Sequence, residues 1–399
     1  MLMGPMDGVR VVEMGLWVAG PSCGGILADW GADVVKIEPL AGDPFRSIEW
    51  SYPDNVNPPF ELDNRGKRSL ALDIRDDRGL AVVHDLLAMA DVFVTNYRPA
   101  GLERAGLDYS SLADRYPQLI YAQVTGYGLG GDERDRAAYD MGAFYSRGGI
   151  GAAITPDGND MPYPRSGMGD HMTGLAAAAG VSAALFHRAR TGEGQQVSTS
   201  LLRLGAYMYG WDQNVSARLD VDAEPVTRSQ PPNPLLNGYR CCDNKWIWLL
   251  GLEADRHWPN VAAALGRPDW EHDPRFDSIE QRMKHSAELV AAMDEVIVTK
   301  AREEWAPILD RHGVWWAKVQ STLEMRSDPQ AHAAGCYVKA PTAEGQMVDM
   351  VATPVDFGST PWDVSGAAPE LGQHTELVLM ELGKDWDEIE HLKADGVIS

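Results

Sequence analysis

The chain has 399 residues, 44% of them hydrophobic and 23% charged, with a formal net charge of −23. That length suits one large α/β domain plus a second module, and the composition is that of a soluble globular enzyme. So acidic a surface repels nucleic acid and anionic lipid, which argues against both as partners, and an anionic ligand needs a local basic patch. The four cysteines, Cys23, Cys241, Cys242 and Cys336, show neither zinc-site spacing nor a disulfide framework, and a reducing cytoplasm fits them. Asp7, Arg10 and Glu13 interrupt the apolar stretch Met1–Pro21 too early for a signal peptide. No apolar run reaches the roughly 18–20 residues of a membrane helix. The longest Ala-rich stretch, Leu175–Leu185, is closed by Arg188 and Arg190.

In chain order, Val9–Glu13 reads as a strand, Pro21–Trp30 as a helix and Asp33–Glu38 as a second strand. Ser69–Ile74 (strand), Arg78–Ala90 (helix), Val92–Thr95 (strand) and Leu119–Thr125 (strand) follow. Strands alternating with helices predict a parallel, doubly wound sheet, whose ligands bind at the carboxyl ends of the strands. Those ends carry Gly15–Pro21, Glu38–Asp43, Asn96–Pro99 and Thr125–Gly131. A loop over Pro156–Pro164 leads to a long helix from about His171 to Arg190, stopped at Thr191-Gly192, and Gln195–Leu204 resumes regular structure. Pro225–Pro234 reads as a crossing between domains. A smaller α+β module follows, with Cys241–Leu250 as strand and Ala254–Leu265, Arg282–Val298 and Glu303–His312 as helices. Thr375–Leu382 reads as an amphipathic helix in the tail.

Three clusters carry candidate chemistry. Gly15-Leu16-Trp17-Val18-Ala19-Gly20-Pro21 opens a helix after the first strand, where backbone N–H groups can meet phosphate, although the spacing is not the dinucleotide G-x-G-x-x-G. Packing alone also explains such a turn. Asn64-Arg65-Gly66-Lys67-Arg68, with Arg75, Arg98 and Arg104, concentrates cations suited to phosphate, or forms a solvated face paired with acids such as Asp63 and Asp73. Gly169-Asp170-His171 precedes the long helix, where an aspartate is commonly a cap. Its chemical reading is a carboxylate kept ionised by the helix N-terminus and able to attack a thioester. There is no G-x-S-x-G elbow and no H-E-x-x-H pattern, so serine-hydrolase and metal readings are poor.

Taken together these segments resemble the family III CoA-transferases, the CaiB/BaiF-like group that contains formyl-CoA:oxalate and carnitine CoA-transferases. The resemblance runs in order through Asp7–Val11, Ala19–Pro21, Leu27–Glu38, Gly42-Asp43, Asn64–Ser69, Asn96–Pro99, Leu102–Arg104, Thr125–Gly128, Tyr139-Asp140, Gly169-Asp170 and Arg190–Gln195. It implies an interlocked homodimer of chains with a Rossmann-like large domain (1–212), a linker (213–234), a small domain (235–330) and a return to the large domain (331–399). It also implies that coenzyme A or acyl-CoA is a substrate with no prosthetic group or metal, and that Asp170 is the nucleophile. CoA contacts carry over to Trp17, Val18, Ala19, Leu72, Arg75, Asn96, Tyr97, Arg98, Arg104 and Tyr139.

The chain departs from the family where some members carry glutamine (here Val18) or lysine (Thr125 and Ala137). Gln230–Pro234 stands where oxalate enzymes have a glycine-rich loop, so an acid as small as oxalate is not expected. Trp246, Trp248, Trp315 and Trp316 point to a bulkier, less polar acyl group. Rival readings are an α-methylacyl-CoA racemase, whose histidine falls at Tyr139, an NAD-dependent oxidoreductase resting on Glu38, and a catalytically silent CoA-binding module.

Overall fold

A computed structural model describes residues 4–48 and 56–399, so Met1–Met3 of the N-terminal stretch lie outside it. The elements in order are β1 (Arg10–Met14), α1 (Ala19–Asp29), β2 (Asp33–Glu38), α2 (Pro58–Asn64), β3 (Arg68–Ala71), α3 (Asp77–Met89), β4 (Val92–Thr95), α4 (Pro99–Ala105), α5 (Tyr109–Leu112) and β5 (Ile120–Thr125). A π-helical turn (Met141–Ser146), α6 (Ile150–Ala153), α7 (Met168–Thr191), β6 (Gln195–Ser200), α8 (Leu201–Met208) and α9 (Gly210–Leu219) follow. Next come β7 (Gly238–Arg240), β8 (Trp246–Leu249), α10 (Ala254–Ala264), α11 (Ile279–Lys284), α12 (Ser286–Ile297), α13 (Arg302–Arg311) and β9 (Trp316–Val319). The chain ends through α14 (Thr322–Arg326), α15 (Pro329–Ala333), β10 (Tyr337–Pro341), β11 (Met347–Val351), α16 (Thr375–Glu381) and α17 (Trp386–Ala394).

Strands β1 to β6 form one parallel sheet in the order β3-β2-β1-β4-β5-β6. This is the doubly wound order whose reversal between the first and fourth strands opens a crevice for a ligand. Strands β1, β2, β4 and β5 are buried on both faces and are mostly apolar, whereas the edge strand β6 is polar and partly exposed. Along them the side chains alternate. Val11, Val34, Val92, Val94, Ile120 and Ala122 pack with α1 and α7, whereas Val12, Val35, Phe93 and Tyr121 pack with α3, α16 and α17. The edge strand β3 is prolonged by a bridge from Leu72 to Ile398, and the Asp73 N–H donates to the Val397 carbonyl at 2.9 Å.

Two compact units divide the chain. One comprises 1–151, 162–222 and 333–399; the other comprises 152–161 and 223–332. The second has its own core, in which Trp258, Trp270, Phe276, Leu289, Met293 and Trp305 pack beneath the antiparallel sheet β7-β8-β9. Here the sequence reading needs correction. Cys241–Leu250 is not one strand: the Cys241 N–H donates to the Lys245 carbonyl, closing a turn in which Asn244 takes φ +60°. Asn tolerates that left-handed conformation well, so the segment folds back as a hairpin. The expected helix Arg282–Val298 breaks at His285 into α11 and α12, and the first part of the expected linker, 213–219, continues helix α9. Among the described residues no helix is long and apolar enough to cross a membrane.

Candidate active site

The crevice between β1 and β4 is roofed by the turn Gly15–Val18, and buried charge holds that turn in place. Asn96, just past β4, accepts the Leu16 N–H at 2.9 Å and donates to the Leu16 carbonyl at 2.8 Å. Asp43 accepts the Trp17 N–H at 3.0 Å, which supports Trp17 at φ +63°. Behind the turn lies a closed network of two carboxylates and two ammonium groups. Lys36 Nζ bonds Glu13 at 3.1 Å, Asp43 at 3.0 Å and the Gly15 carbonyl at 2.9 Å. Lys67 Nζ bonds Glu13 at 2.6 Å, the Pro21 carbonyl at 2.8 Å and Asn64 at 3.0 Å. Burial opposes the charge on Lys36, but Glu13 and Asp43 hold it above the usual lysine range; burial pulls Lys67 below that range against Glu13. Gly24 of α1 makes room for this network, because a Cβ there would stand 1.9 Å from the Glu13 carboxylate.

Asp170 lies in the first turn of α7. Gly167 occupies the capping position before the helix, so Asp170 is the third helical residue and not the cap. The real tether at this end is Asp140. Its carboxylate accepts the Met141 N–H at 2.7 Å and the Gly167 N–H at 2.8 Å, tying the π-helical turn to the start of α7. Gly169 lets the two pack, since a Cβ would meet the Phe144 ring at 2.5 Å. The Asp170 carboxylate makes no hydrogen bond among the described residues. Burial, reinforced by the Asp140 charge, pushes its pKa up to about 7, against a smaller lowering by His171. Burial and Asp140 thus work against the ionised form that the helix N-terminus is expected to favour.

Asp170 and the roofing turn face one cavity of about 730 Å³, also lined by Asn96, Tyr97, Arg98 and Arg104. Trp17 and Tyr139 meet edge to face across its rim at 5.6 Å between ring centroids. Arg98 and Arg104 are exposed and make no ion pair among the described residues. Arg134 and Arg136, which also line the cavity, are committed: Arg134 to Glu103 at 2.8 Å and to Asp135, and Arg136 to Glu133.

Residues 6–375 match the sequence model of "CoA-transferase family III". The chain belongs to this family. It is 34% identical over 397 residues to the (R)-2-hydroxy-4-methylpentanoate CoA-transferase of Clostridioides difficile, covering 98% of this chain and 99% of the relative. It is 33% identical over 397 residues to the cinnamoyl-CoA:phenyllactate CoA-transferase of Clostridium sporogenes, covering 98% and 96%. The fold is similar to that of a CaiB/BaiF family protein from Brucella suis, with TM-score 0.85 and 28% identity, covering 95% of this chain and all of that one. This family III CoA-transferase is therefore an enzyme that moves CoA between an acyl-CoA and a carboxylic acid.

Not all the CoA contacts expected in this CoA-transferase come together. Trp17, Ala19, Asn96, Tyr97, Arg98, Arg104, Tyr139 and Asp170 share the main cavity. Leu72 and Arg75 line a separate hollow of about 470 Å³, which Tyr97 also borders. Val18 lines neither; its side chain is buried with Phe45 and Phe60. Arg75 is 86% exposed and lies 2.9 Å from Asp73. The cations of the Asn64–Arg68 run are not a phosphate patch. Arg65 pairs with Asp29 at 2.6 Å in the interior, Lys67 is spent on Glu13, and Arg68 pairs with Asp33 and Glu381. Glu38 is fully buried, and hydrogen bonds from Arg46 hold its pKa low despite that burial, so it is not open to a ribose. Sequence reasoning missed Asp140 as a tether and Arg134 and Arg136 as wall residues. Glu133-Arg134-Asp135-Arg136 looks like any solvated charged loop, and only the helical start after Asp140 offered a signal.

Proposed function

We propose that this enzyme transfers CoA through covalent intermediates on Asp170. The observation that carries this reading is a carboxylate in the cavity, at the N-terminus of a 24-residue helix, with no hydrogen bond of its own and a pKa of about 7. An Asp170 oxygen attacks the donor thioester carbon; the C–S bond breaks, leaving a mixed anhydride and CoA thiolate. The thiolate attacks the aspartyl carbonyl and releases the donor acid, giving an aspartyl-CoA thioester. The acceptor carboxylate then attacks that carbonyl and expels CoA thiolate. Attack of the thiolate on the acceptor acyl carbon forms the new acyl-CoA and frees Asp170. The first N–H groups of α7 have no partner within the helix and supply donors for the oxyanions that form at each step.

In this reading Arg98 and Arg104 bind CoA phosphates, being the uncommitted cations of the cavity, and Arg75 with Leu72 serves a more distant part of CoA. A branched or aryl acid is the proposed cargo, in keeping with the substrates that name the two relatives. The working form is an interlocked dimer. Helix α9 has no buried residue, and Tyr207, Trp211 and Leu219 stand 75%, 85% and 63% exposed, an apolar surface that asks for a partner. Four free thiols agree with a cytoplasmic setting.

Asp170→Ala is expected to abolish turnover while CoA binding persists. Donor acyl-CoA with hydroxylamine is expected to convert Asp170 to a hydroxamate, read by peptide mass spectrometry. Near-normal transfer by the Asp170→Ala variant overturns the mechanism.

A further inference from the structure

Beside the proposed nucleophile stands a pair that the covalent scheme does not use. His171, the next residue of α7, places Nε2 at 3.0 Å from Oδ1 of Asp63. Asp63 belongs to the last turn of α2 and is 3% exposed, while its other oxygen, Oδ2, is buried without a partner among the described residues. Leaving a buried carboxylate oxygen unbonded is costly. The other cation near Asp63, Lys67, is already committed to Glu13, Asn64 and the Pro21 carbonyl. Asp63 therefore directs its one side-chain hydrogen bond to the imidazole. It does so from a fixed position, because its backbone carbonyl packs so closely on α1 that a Cβ on Gly25 would stand 2.7 Å away.

The charged groups facing Asp170 are Asp140 from the loop before the π-helical turn, Asp63 from α2, and His171 from its own helix. Three carboxylates thus surround one imidazole. Burial opposes a charge on His171, yet the Asp63 hydrogen bond and the three carboxylates raise its pKa. A protonated His171 is then the cation of the cluster among the described residues, and it offsets part of what burial and the like charges do to disfavour an ionised Asp170.

We propose that Asp63 and His171 are a positioning pair: Asp63 fixes the imidazolium of His171 beside Asp170, so that the nucleophile is ionised in the neutral range. The proposal rests on the reading of Asp170 as the nucleophile. Neither residue needs to touch substrate.

The test is the pH dependence of kcat/KM for CoA transfer in His171→Gln and Asp63→Asn. Without the cation, the acid limb is expected to move up by about one pH unit in His171→Gln. The loss is then about tenfold at pH 6 and less than about twofold at pH 9, where Asp170 is ionised with or without the cation. Asp63→Asn is expected to move the limb in the same direction by less, and it carries the test by itself if His171→Gln does not fold. A limb that stays in place, or an equal loss at every pH, overturns the pair. Hydroxylamine trapping separates the two readings. Label on Asp170 in wild type and variants with an unmoved limb sinks only the pair; no label on Asp170 in the wild type sinks the nucleophile on which it depends.

Discussion

Two turns meet at the cavity, and they are built on opposite terms. In the turn after β1 each backbone group that matters is claimed: Leu16 by Asn96 on both sides, Trp17 by Asp43 and the Gly15 carbonyl by Lys36. In the first turn of α7 the Asp170 carboxylate has no hydrogen bond among the described residues and faces the charge of Asp140. The surface that receives the ligand is overdetermined, whereas the group that reacts keeps its lone pairs free. A nucleophile engaged in two good hydrogen bonds would have to break them before attack, and a loosely held binding turn would lose the advantage of fixed geometry.

That contrast can be broken most severely at Glu13, which both lysines of the buried network share. Glu13→Gln leaves Lys36 and Lys67 short of a counter-charge in the interior, and breaking such a pair typically costs about 3–5 kcal/mol. Denaturant unfolding is expected to show a loss of that order, with CoA affinity falling in parallel as the turn loosens. The second test acts on Asp170 itself. Its native pKa of about 7 lies above the ordinary value of 3.8, so between those values the folded state holds more proton than the unfolded one and stability falls as pH rises. The penalty is complete above about pH 7. Asp170→Asn, which carries no charge, is expected to melt a few degrees above wild type at pH 8, with the advantage shrinking toward pH 4. No difference at pH 8 would mean that the carboxylate is not held against its charge.

The smallest effects belong to the cavity rim. Arg98→Gln and Arg104→Gln are each expected to weaken CoA binding by about 1–3 kcal/mol in calorimetry, with stability unchanged, because these cations have no partner to lose. Arg75→Gln is expected to weaken it less, since that side chain is exposed and already bonded to Asp73. A larger loss at Arg75 than at Arg98 would shift the phosphate site to the neighbouring hollow.

The same contrast marks what could be read from residues alone. Strands such as Asp33–Glu38 and Val92–Thr95 were legible to the residue, because their β-branched apolar cores, Val34-Val35 with Ile37 and Val92-Phe93-Val94, mark strands buried on both faces. The hairpin at Cys241–Lys245 was not, because its turn depends on one Asn at positive φ within an otherwise strand-like stretch. At the site, Asp170, Arg98 and Arg104, singled out from the sequence, line one cavity. Arg65 and Lys67 were credited with ligand chemistry although they serve the frame, since a run of cations looks the same whether its counter-ions are phosphates or the distant Asp29 and Glu13. Asp63 is separated from His171 by 108 positions, and no local pattern links them.

The bridge between Leu72 and Ile398 joins an edge strand to residues that follow it by more than three hundred positions. On the ribosome, residues 333–399 emerge only after the whole segment 223–332, which has a core of its own and can fold first. The nascent large unit meanwhile waits with β3 open and the faces meant for α16 and α17 bare, an invitation to wrong pairing. A premature stop anywhere after the second unit would yield a chain whose small core is sound and whose sheet is never closed.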